Sequence, residues 1–581
     1  FGPGFGRTLS RLVRHGIGVH HAGLLPKYRR LVEQLAQDGL LKVICGTDTL
    51  GVGINVPIRT VVLTGLTKFD GTKQRLLKSR EFHQVVGRAG RAGFDSRGWV
   101  VAQAPEHVID NLRAVAKAGD DPKKQRKVQR KKAPDGFIGW SEETFDKLVA
   151  SEPEALVPRL RMSHAMLINL LAREGNPVAH TASLIRSSHH GEADQRRLGR
   201  HALVLARELI NSGVVSRLPT AEESGRRYSL VVDLQRDFAL NQPLAPFALA
   251  VMDTLDPDSE SYARDMVSII EAILEDPRQV LWAQQNAAKG EAVAAMKMDG
   301  IEYEERMDRL EEITWPRPLA ELLEVTLEAY RVSHPWISPE ALSPKSVVRE
   351  MYERGMTFAE FVSVYQLSRS EGLLLRYLTD AYRTLRHTVP DSLWNDELED
   401  IIEWLGELVR QTDSSLLDEW EALVSPEIGL GAGGAGVVDV APPTRGITAN
   451  ERAFTVLIRN AMFHRVELAA LDRWEALGDL EARVAELTEP PQKVVMDAEA
   501  WNAALGAYFE EHDSIATDQA ARSPELLQIY RSEAGVWRVR QVVVDPAGDL
   551  DWGITAEVDL GASDEVGAAV IVVEGFGRLG G

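Results

Sequence analysis

Leu41-Lys42-Val43-Ile44-Cys45-Gly46-Thr47-Asp48-Thr49-Leu50-Gly51-Val52-Gly53-Ile54-Asn55-Val56-Pro57 decides how the first part of this 581-residue chain is read. Val43-Ile44-Cys45 is a short apolar run bounded by glycine, the pattern of a strand buried on both faces. The polar, glycine-rich turn that follows lies at its carboxyl end, where open α/β sheets gather ligand-binding groups. Upstream stands Gly18-Val19-His20-His21-Ala22-Gly23-Leu24-Leu25-Pro26; downstream, Thr60–Leu63 and Trp99–Ala102 read as two more buried strands. Helical patterns occupy 27–38 and 72–89. Strand and helix signals in alternation predict a parallel sheet with helices on both faces.

Within the second helical pattern the chain reads Gln84-Val85-Val86-Gly87-Arg88-Ala89-Gly90-Arg91. Arg88 and Arg91 are three residues apart, separated by small residues. That spacing lets both guanidinium forks reach one anionic ligand while the glycines keep the backbone clear. Arginine is always charged and binds phosphate oxygens bidentately. Nucleotide-driven motors use such a group to stabilise charge on the transferred phosphoryl. Taken alone, a Gly/Arg motif also fits a surface turn. For His20 and His21, one satisfied core histidine is an equal alternative to a ligand role, and no second ligand cluster nearby suggests a metal.

The three blocks, in this order, resemble the second RecA-like domain of superfamily-two DExH helicases, with the nearest likeness to the superkiller and exosome-associated group. His20-His21-Ala22-Gly23-Leu24 resembles motif IVa, Thr47 to Pro57 motif V, and Gln84 to Arg91 motif VI. The resemblance implies that Arg88 and Arg91 are arginine fingers on ATP and that Gln84 couples to the opposite domain. It implies nucleotide contacts for Gly53, Asn55 and Gly87, with Gly53 approaching through its backbone and Asn55 facing the ribose. Thr47 and the Gly23 loop would hold a nucleic-acid strand; Asp48 would organise motif V. No Gly-x-x-x-x-Gly-Lys-Ser/Thr run and no Asp-Glu-x-His block occurs in the sequence, so the β/γ-phosphate cradle and the Mg2+ ligand are not supplied by these residues. The chain opens at Phe1. The expectation is therefore a carboxyl-terminal part of a longer protein, whose first RecA-like domain would complete the site for ATP and Mg2+. Alone, this part is expected to be inactive.

Composition sets further bounds. The length suits about four domains of about 150 residues. The single cysteine, Cys45, falls in an expected core strand and allows no disulfide framework, which fits a reducing cytoplasm. No run of 18 apolar residues is present, so no membrane partner is expected. Net charge is −20, but Lys and Arg are concentrated in the first 135 residues. Lys123-Lys124-Gln125-Arg126-Lys127-Val128-Gln129-Arg130-Lys131-Lys132 reads either as a solvated linker or as a phosphate-contacting segment. Richness in Ala, Arg and Gly hints at a GC-rich bacterial genome.

The expected fold class is multidomain and mainly α with α/β parts. Residues 1–115 are expected as the second RecA-like domain and 116–135 as a basic linker. Helix patterns at 141–151, 160–171 and 194–212, then strands at 214–218 and 227–232, suggest a winged-helix domain over 136–240. From 241 to 425 the pattern is helical. Its segments Tyr352–Glu360 and Ser370–Arg376 resemble the helical domain of the superkiller group, where a long helix crosses the nucleic-acid channel. Arg376, Arg383 and Arg386 fall on one face and either contact phosphates or are ordinary surface arginines. Residues 426–447, rich in Gly and Pro, read as a linker rather than a phosphate loop, because no lysine follows. Residues 448–581 read as a separate α+β unit: helices at 449–486 and 497–511, then four strands. It faintly resembles the nuclear-transport-factor-two-like cone and would serve as a protein-docking or dimerisation module. The whole arrangement is similar to an actinobacterial helicase family with an added carboxyl-terminal domain.

The leading expectation is a helicase or translocase that couples ATP hydrolysis to movement on DNA or RNA. The alternative is a non-enzymatic nucleic-acid-binding or scaffold protein that retains a helicase half. A third is a carboxyl-terminal unit that binds a small molecule or partner and recruits the motor.

Overall fold

The computed structural model describes residues 5–47, 58–69, 73–90, 95–117, 128–134, 136–158, 160–211, 215–230, 244–298, 300–335, 337–413, 446–486, 491–518, 520–533, 535–566 and 569–579. The chain forms two compact units, Phe1–Arg159 and Leu160–Gly581.

The first unit is α/β. Helix α1 (Phe5–Arg14) leads into β1 (Ile17–His20), α2 (Pro26–Gln37) and β2 (Val43–Gly46). Strands β1 and β2 pair in parallel, with Ile17 opposite Val43 and His20 opposite Gly46. Parallel partners need a crossover, and α2 supplies it. Pro26 at its first turn suits helix initiation, where the missing N–H is not needed. Ala36 of α2 packs with Leu41, Ile44 and Ile58. Strands β3 (Thr60–Leu63) and β6 (Trp99–Ala102) form a second parallel pair. Between them lie β4 (Thr67–Phe69), β5 (Gln74–Leu76) and α3 (Ser79–Val86); α4 (Glu106–Lys117) and α5 (Glu142–Ala150) follow.

Three features differ from the sequence reading. The helix expected over 72–89 begins only at Ser79, because Gln74–Leu76 pairs with Thr67–Phe69 as an antiparallel hairpin. The strands expected to be buried on both faces are open on one: Val43 is 52% exposed and Val62 60%. Apolar runs specify a two-sided core only if both faces find cover, and here helices cover one. For the same reason Cys45 is exposed rather than core. Residues 137–150, grouped by sequence with the segment that follows them, pack in the first unit. Trp140 lies over Gly65 and donates its indole N–H to Gln103 O at 3.0 Å. Leu148 and Phe145 join Leu66 and Phe82 in one apolar cluster.

The second unit begins with α6 (His164–Ala172), α7 (Pro177–Ser187) and α8 (Glu192–Asn211), then β7 (Val215–Arg217) and β8 (Tyr228–Leu230), an antiparallel pair. Asn176 caps α7 by accepting the N–H groups of Val178 and Ala179. Met162, Ile168, Ile185, Leu205, Leu209 and Val215 share a core.

A helical bundle follows: α9 (Ala245–Met252), α10 (Tyr262–Ile273), α11 (Arg278–Met298), α12 (Tyr303–Glu311), α13 (Ala320–Ser333), α14 (Val348–Glu353), α15 (Phe358–Val364), α16 (Glu371–Thr388) and α17 (Asp396–Asp413). Glu271 of α10 is fully buried. It accepts the N–H groups of Val347 and Val348 on one oxygen, at 2.8 and 2.9 Å, and that of Arg349 on the other at 3.1 Å. Tyr377 of α16 adds its hydroxyl at 2.9 Å. Burial pushes this carboxyl up, and the four donors oppose that shift. One side chain thus caps α14 and ties three helices together.

The last part carries α18 (Glu451–Ala470), α19 (Trp474–Ala485) and α20 (Ala498–Phe509), then β9 (Leu527–Glu533), β10 (Val536–Val542), β11 (Trp552–Asp559), α21 (Leu560–Val566) and β12 (Val570–Arg578). The strands form an antiparallel meander in the order β12-β11-β10-β9. Trp501, Tyr508, Trp552 and Phe576 fill the space between helices and sheet. This part has its own core, yet it does not stand apart. Arg522 enters the bundle, and Arg452 and Arg459 of α18 reach Asp400 of α17 at 3.0 and 3.1 Å. Nearly all of the Gly/Pro segment 426–447 lies outside the described residues. Among the described residues no helix is long and apolar enough to cross a membrane.

Candidate nucleotide and nucleic-acid interface

In the first unit, the carboxyl ends of β1 and β2 bring two expected contacts together. His20 ends β1 and is buried; its Nε2 is 2.8 Å from Glu33 of α2. That is the satisfied core histidine. His21 turns the chain: its Nδ1 accepts the Gly23 N–H at 3.1 Å. Burial lowers the His21 pKa, and His20 and Arg29 lower it further. The imidazole therefore stays neutral, as an acceptor Nδ1 requires. Thr47 follows β2 and donates its N–H to His20 O at 3.2 Å. The Gly23 loop and Thr47 thus lie at the same edge of the sheet. Asp48, Gly53 and Asn55 are outside the described residues.

The other expected contacts belong to α3 and the turn after it. Gln84 is exposed on the last turn, Gly87 is the C-cap, and Arg88 is half-buried. Arg91 lies outside the described residues. Each end of this helix is fixed. At the amino end, Glu81 accepts the Lys78 N–H at 2.9 Å and both Arg75 amino groups at 2.8 and 2.7 Å. The Arg75 hydrogen bonds hold Glu81 down at about 2, so it is ionised at neutral pH. Glu154, far along the chain, accepts the N–H groups of Ser79 at 3.1 Å and Arg80 at 2.8 Å. On its flank, Phe82 meets Phe145 edge-to-face at 5.7 Å.

At the carboxyl end, Ala89 bridges to Ile58, and Gly90 donates to Ile58 O at 2.9 Å. Gly90 adopts φ +93°, open to glycine. A side chain at Gly98 would come within 2.5 Å of Ala89 and 2.7 Å of the Gly90 nitrogen. The turn after α3 is therefore pinned beside β3 and β6. Sequence reading missed Glu154, Gly98 and Ile58. Each acts through backbone atoms remote in sequence, and no local pattern marks that role.

In the second unit, α16 buries 11 of its 18 residues. Arg376 is exposed, Arg383 half-buried and Arg386 exposed, as helical spacing placed them. Asp380 lies between the first two. Burial raises its pKa, opposed by Arg383 and then Arg376. Arg386 donates to the Tyr382 hydroxyl at 2.7 Å.

An α/β unit with a glycine-flanked arginine turn, followed by helical and α+β parts, has the features of a helicase's carboxyl-terminal portion. Comparison with known proteins agrees. Residues 7–93 match the helicase conserved C-terminal domain. Residues 104–576 match the domain of unknown function DUF3516, and the chain belongs to that family. It is 48% identical over 95 residues to an ATP-dependent RNA helicase mtr4 of Schizosaccharomyces pombe, covering 16% of this chain and 8% of the relative. It is 42% identical over 112 residues to the human exosome RNA helicase MTR4, covering 19% and 11%. To the Arabidopsis thaliana DExH-box ATP-dependent RNA helicase DExH10 it is 34% identical over 180 residues, 31% and 15%. The chain spans about a tenth of the length of these relatives. These likenesses identify a carboxyl-terminal part of a superfamily-two DExH helicase.

Proposed function

We propose that the protein works as an ATP-dependent helicase or translocase on RNA or DNA, and that this chain supplies one wall of its nucleotide site together with the parts that enclose the strand. The observation that carries this reading is α3. The helix is fixed at both ends, so the Gly87–Arg88 turn has a defined place at the sheet edge. Preorganised charge is what stabilises a developing phosphoryl transition state. In this reading the first unit is the second RecA-like domain, α6 to β8 the winged helix, α9 to α17 the strand-enclosing bundle and 448–581 a cone-like accessory.

ATP, when bound against a first RecA-like domain, supplies the phosphoryl transfer. The guanidinium donors of Arg88 and Arg91 suit its phosphates; Gly53, Asn55 and Gly87 contact it, and Gln84 relays domain closure. Among the described residues no group of three His, Cys, Asp or Glu is arranged to hold a metal ion, so no step is assigned to Mg2+ here. Thr47 and the Gly23 loop grip nucleic-acid phosphates from adjacent strand ends of the first unit, and Arg376 and Arg383 contact phosphates from α16 of the second. The test is Arg91→Ala in the complete protein. Loss of an arginine finger costs about a thousandfold in turnover or more, with nucleic-acid affinity retained. Unchanged hydrolysis overturns the assignment.

A further inference from the structure

The chain carries a net charge of −20, yet residues 160–230 hold ten arginines, no lysine and six carboxylates. Four of the arginines, Arg196, Arg197, Arg200 and Arg207, lie on α8, which also carries Glu192, Asp194 and Glu208. This helix buries Ala202, Leu205 and Leu209. At 3.6 residues per turn, Arg196, Arg200 and Arg207 fall within about 40° of one another on the opposite side. All three are exposed. Leu203, 60% exposed, and Val204, 48% exposed, lie between them. Arg196 has only a solvent-exposed partner, Glu192 at 3.8 Å. Among the described residues, Arg200 and Arg207 have no carboxylate within ion-pair distance.

The frame under this stripe is rigid. Arg226 donates to Leu171 O at 2.8 Å, Tyr228 O at 3.2 Å and Arg173 O at 3.3 Å, which ties the β7–β8 hairpin to the end of α6. Helices α6, α7 and α8 and the hairpin share one core. Arg217 and Arg227 of the hairpin are exposed.

We infer that α8 with its hairpin is a second nucleic-acid-binding surface, which holds the phosphate backbone of a duplex. Guanidinium is the group of choice for phosphate. The three arginines climb about 6 and then about 10 Å along the axis, at 1.5 Å per residue. A straight helix presenting such a row fits the major groove of a DNA duplex or lies across the phosphates of either duplex. Surfaces that hold single strands stack bases on aromatic rings, and the exposed face of α8 carries none. The acidic residues that follow in the same unit, 231–581, repel a polyanion and favour its approach from the arginine face. The use of the surface in strand separation rests on the function proposed above; the binding itself does not.

The test is binding of the 1–581 chain to fluorescent RNA and DNA duplexes of ~20 base pairs, and to single strands of equal length, between about 50 and 200 mM salt. Arg200→Ala/Arg207→Ala is expected to weaken duplex binding at least ~10-fold and to lower the salt slope by about 1.8, or 0.9 per lost phosphate contact. Single-strand binding should change much less. Arg200→Lys/Arg207→Lys should retain most of the salt slope. Arg376→Ala/Arg383→Ala is expected to weaken single-strand binding and leave the duplex slope unchanged; its failure would count against the proposed bundle contacts, not against α8. Three results overturn the inference: an unaltered chain that binds no duplex, a double alanine variant with unchanged duplex affinity and slope, or equal losses on duplex and single strand. Exposed arginines are not needed for the core, and unchanged circular dichroism of the variants would confirm that they fold.

Discussion

The carboxylate of Glu154 accepts the backbone N–H of Arg80 at 2.8 Å, across 74 residues of chain. With the Ser79 N–H on its other oxygen, it satisfies two amide groups at the first turn of α3 that have no partner within the helix. The negative charge also suits the positive end of the helix dipole. The hydrogen bond from Arg80 is the main cause that holds Glu154 below the ordinary carboxylate range. A lowered carboxylate pKa stabilises the fold above the unfolded value and loses that contribution as pH falls through the folded value. Glu154→Ala should therefore speed amide exchange at Ser79 and Arg80 near neutral pH. The difference from the unaltered chain should close as pH falls below about 4.5, the ordinary carboxyl value. Equal exchange rates at pH 7 would show that the cap contributes nothing.

Gly98 shapes the turn that bears Arg88. Its neighbours are the backbone atoms of Ala89 and Gly90, which cannot rotate away as a side chain can. Gly98→Ala must push the turn or the start of β6 aside. Overpacking of this kind costs about 1–3 kcal/mol. Denaturant unfolding of the chain should report a loss in that range. In the complete protein, ATP turnover should fall further than the loss of folded protein explains, because the turn itself is displaced. Full activity with reduced stability would separate this glycine from the nucleotide site.

The sequence made some of this legible and concealed the rest, for physical reasons. Strands β3 and β6 and the helical spacing of Arg376, Arg383 and Arg386 follow from local periodicity, which backbone geometry imposes directly. The hairpin at Thr67–Leu76 hid inside a helical pattern because Gln74-Arg75-Leu76 carries little intrinsic preference. Its pairing is decided by Thr67–Phe69 and by the Arg75–Glu81 contact. Helix α7 passed unread, although Asn176-Pro177 is a good start signal; its short apolar stripe is interrupted by His180 and Thr181. Glu154 lies in an irregular segment and Arg522 ends a single 3-10 turn (Ala520–Arg522), and most of their partners are backbone groups elsewhere in the chain. No composition or spacing distinguishes such residues from solvated ones.

His21 offers a spectroscopic check on the loop that is proposed to hold the strand. Burial, then His20 and Arg29, lower its pKa from 6.5. A histidine whose folded pKa is lowered stabilises the fold above 6.5 and loses that contribution as pH falls through the folded value. Once protonated, Nδ1 can no longer accept the Gly23 N–H. The Gly23 amide resonance should therefore move with the same midpoint as the His21 ring, below 6.5. A Gly23 amide that stays flat while His21 titrates would show that the contact is not maintained in solution.

Arg522 decides whether the carboxyl-terminal part moves with the bundle. Its guanidinium donates to the carbonyls of Tyr352 and Glu353 and to Asn460 Oδ1 at 2.9 Å. It also lies 4.4 Å from the centre of the Tyr352 ring and 5.0 Å from that of Phe463. One planar cation thus bridges a helix end of the bundle and α18. Charged hydrogen bonds and a desolvated cation–π contact together make its removal cost on the order of 3 kcal/mol. The core around Trp501 and Tyr508 belongs to the carboxyl-terminal part alone, so it should outlast the loss. Arg522→Ala is expected to split thermal unfolding of the bundle and the carboxyl-terminal part into two transitions where the unaltered chain shows them coupled. Arg522→Lys should not restore coupling, because an ammonium lacks the flat fork that stacks and donates at once. A single undivided transition in both variants would mean that the Arg452 and Arg459 pairs with Asp400 hold the two parts together without it.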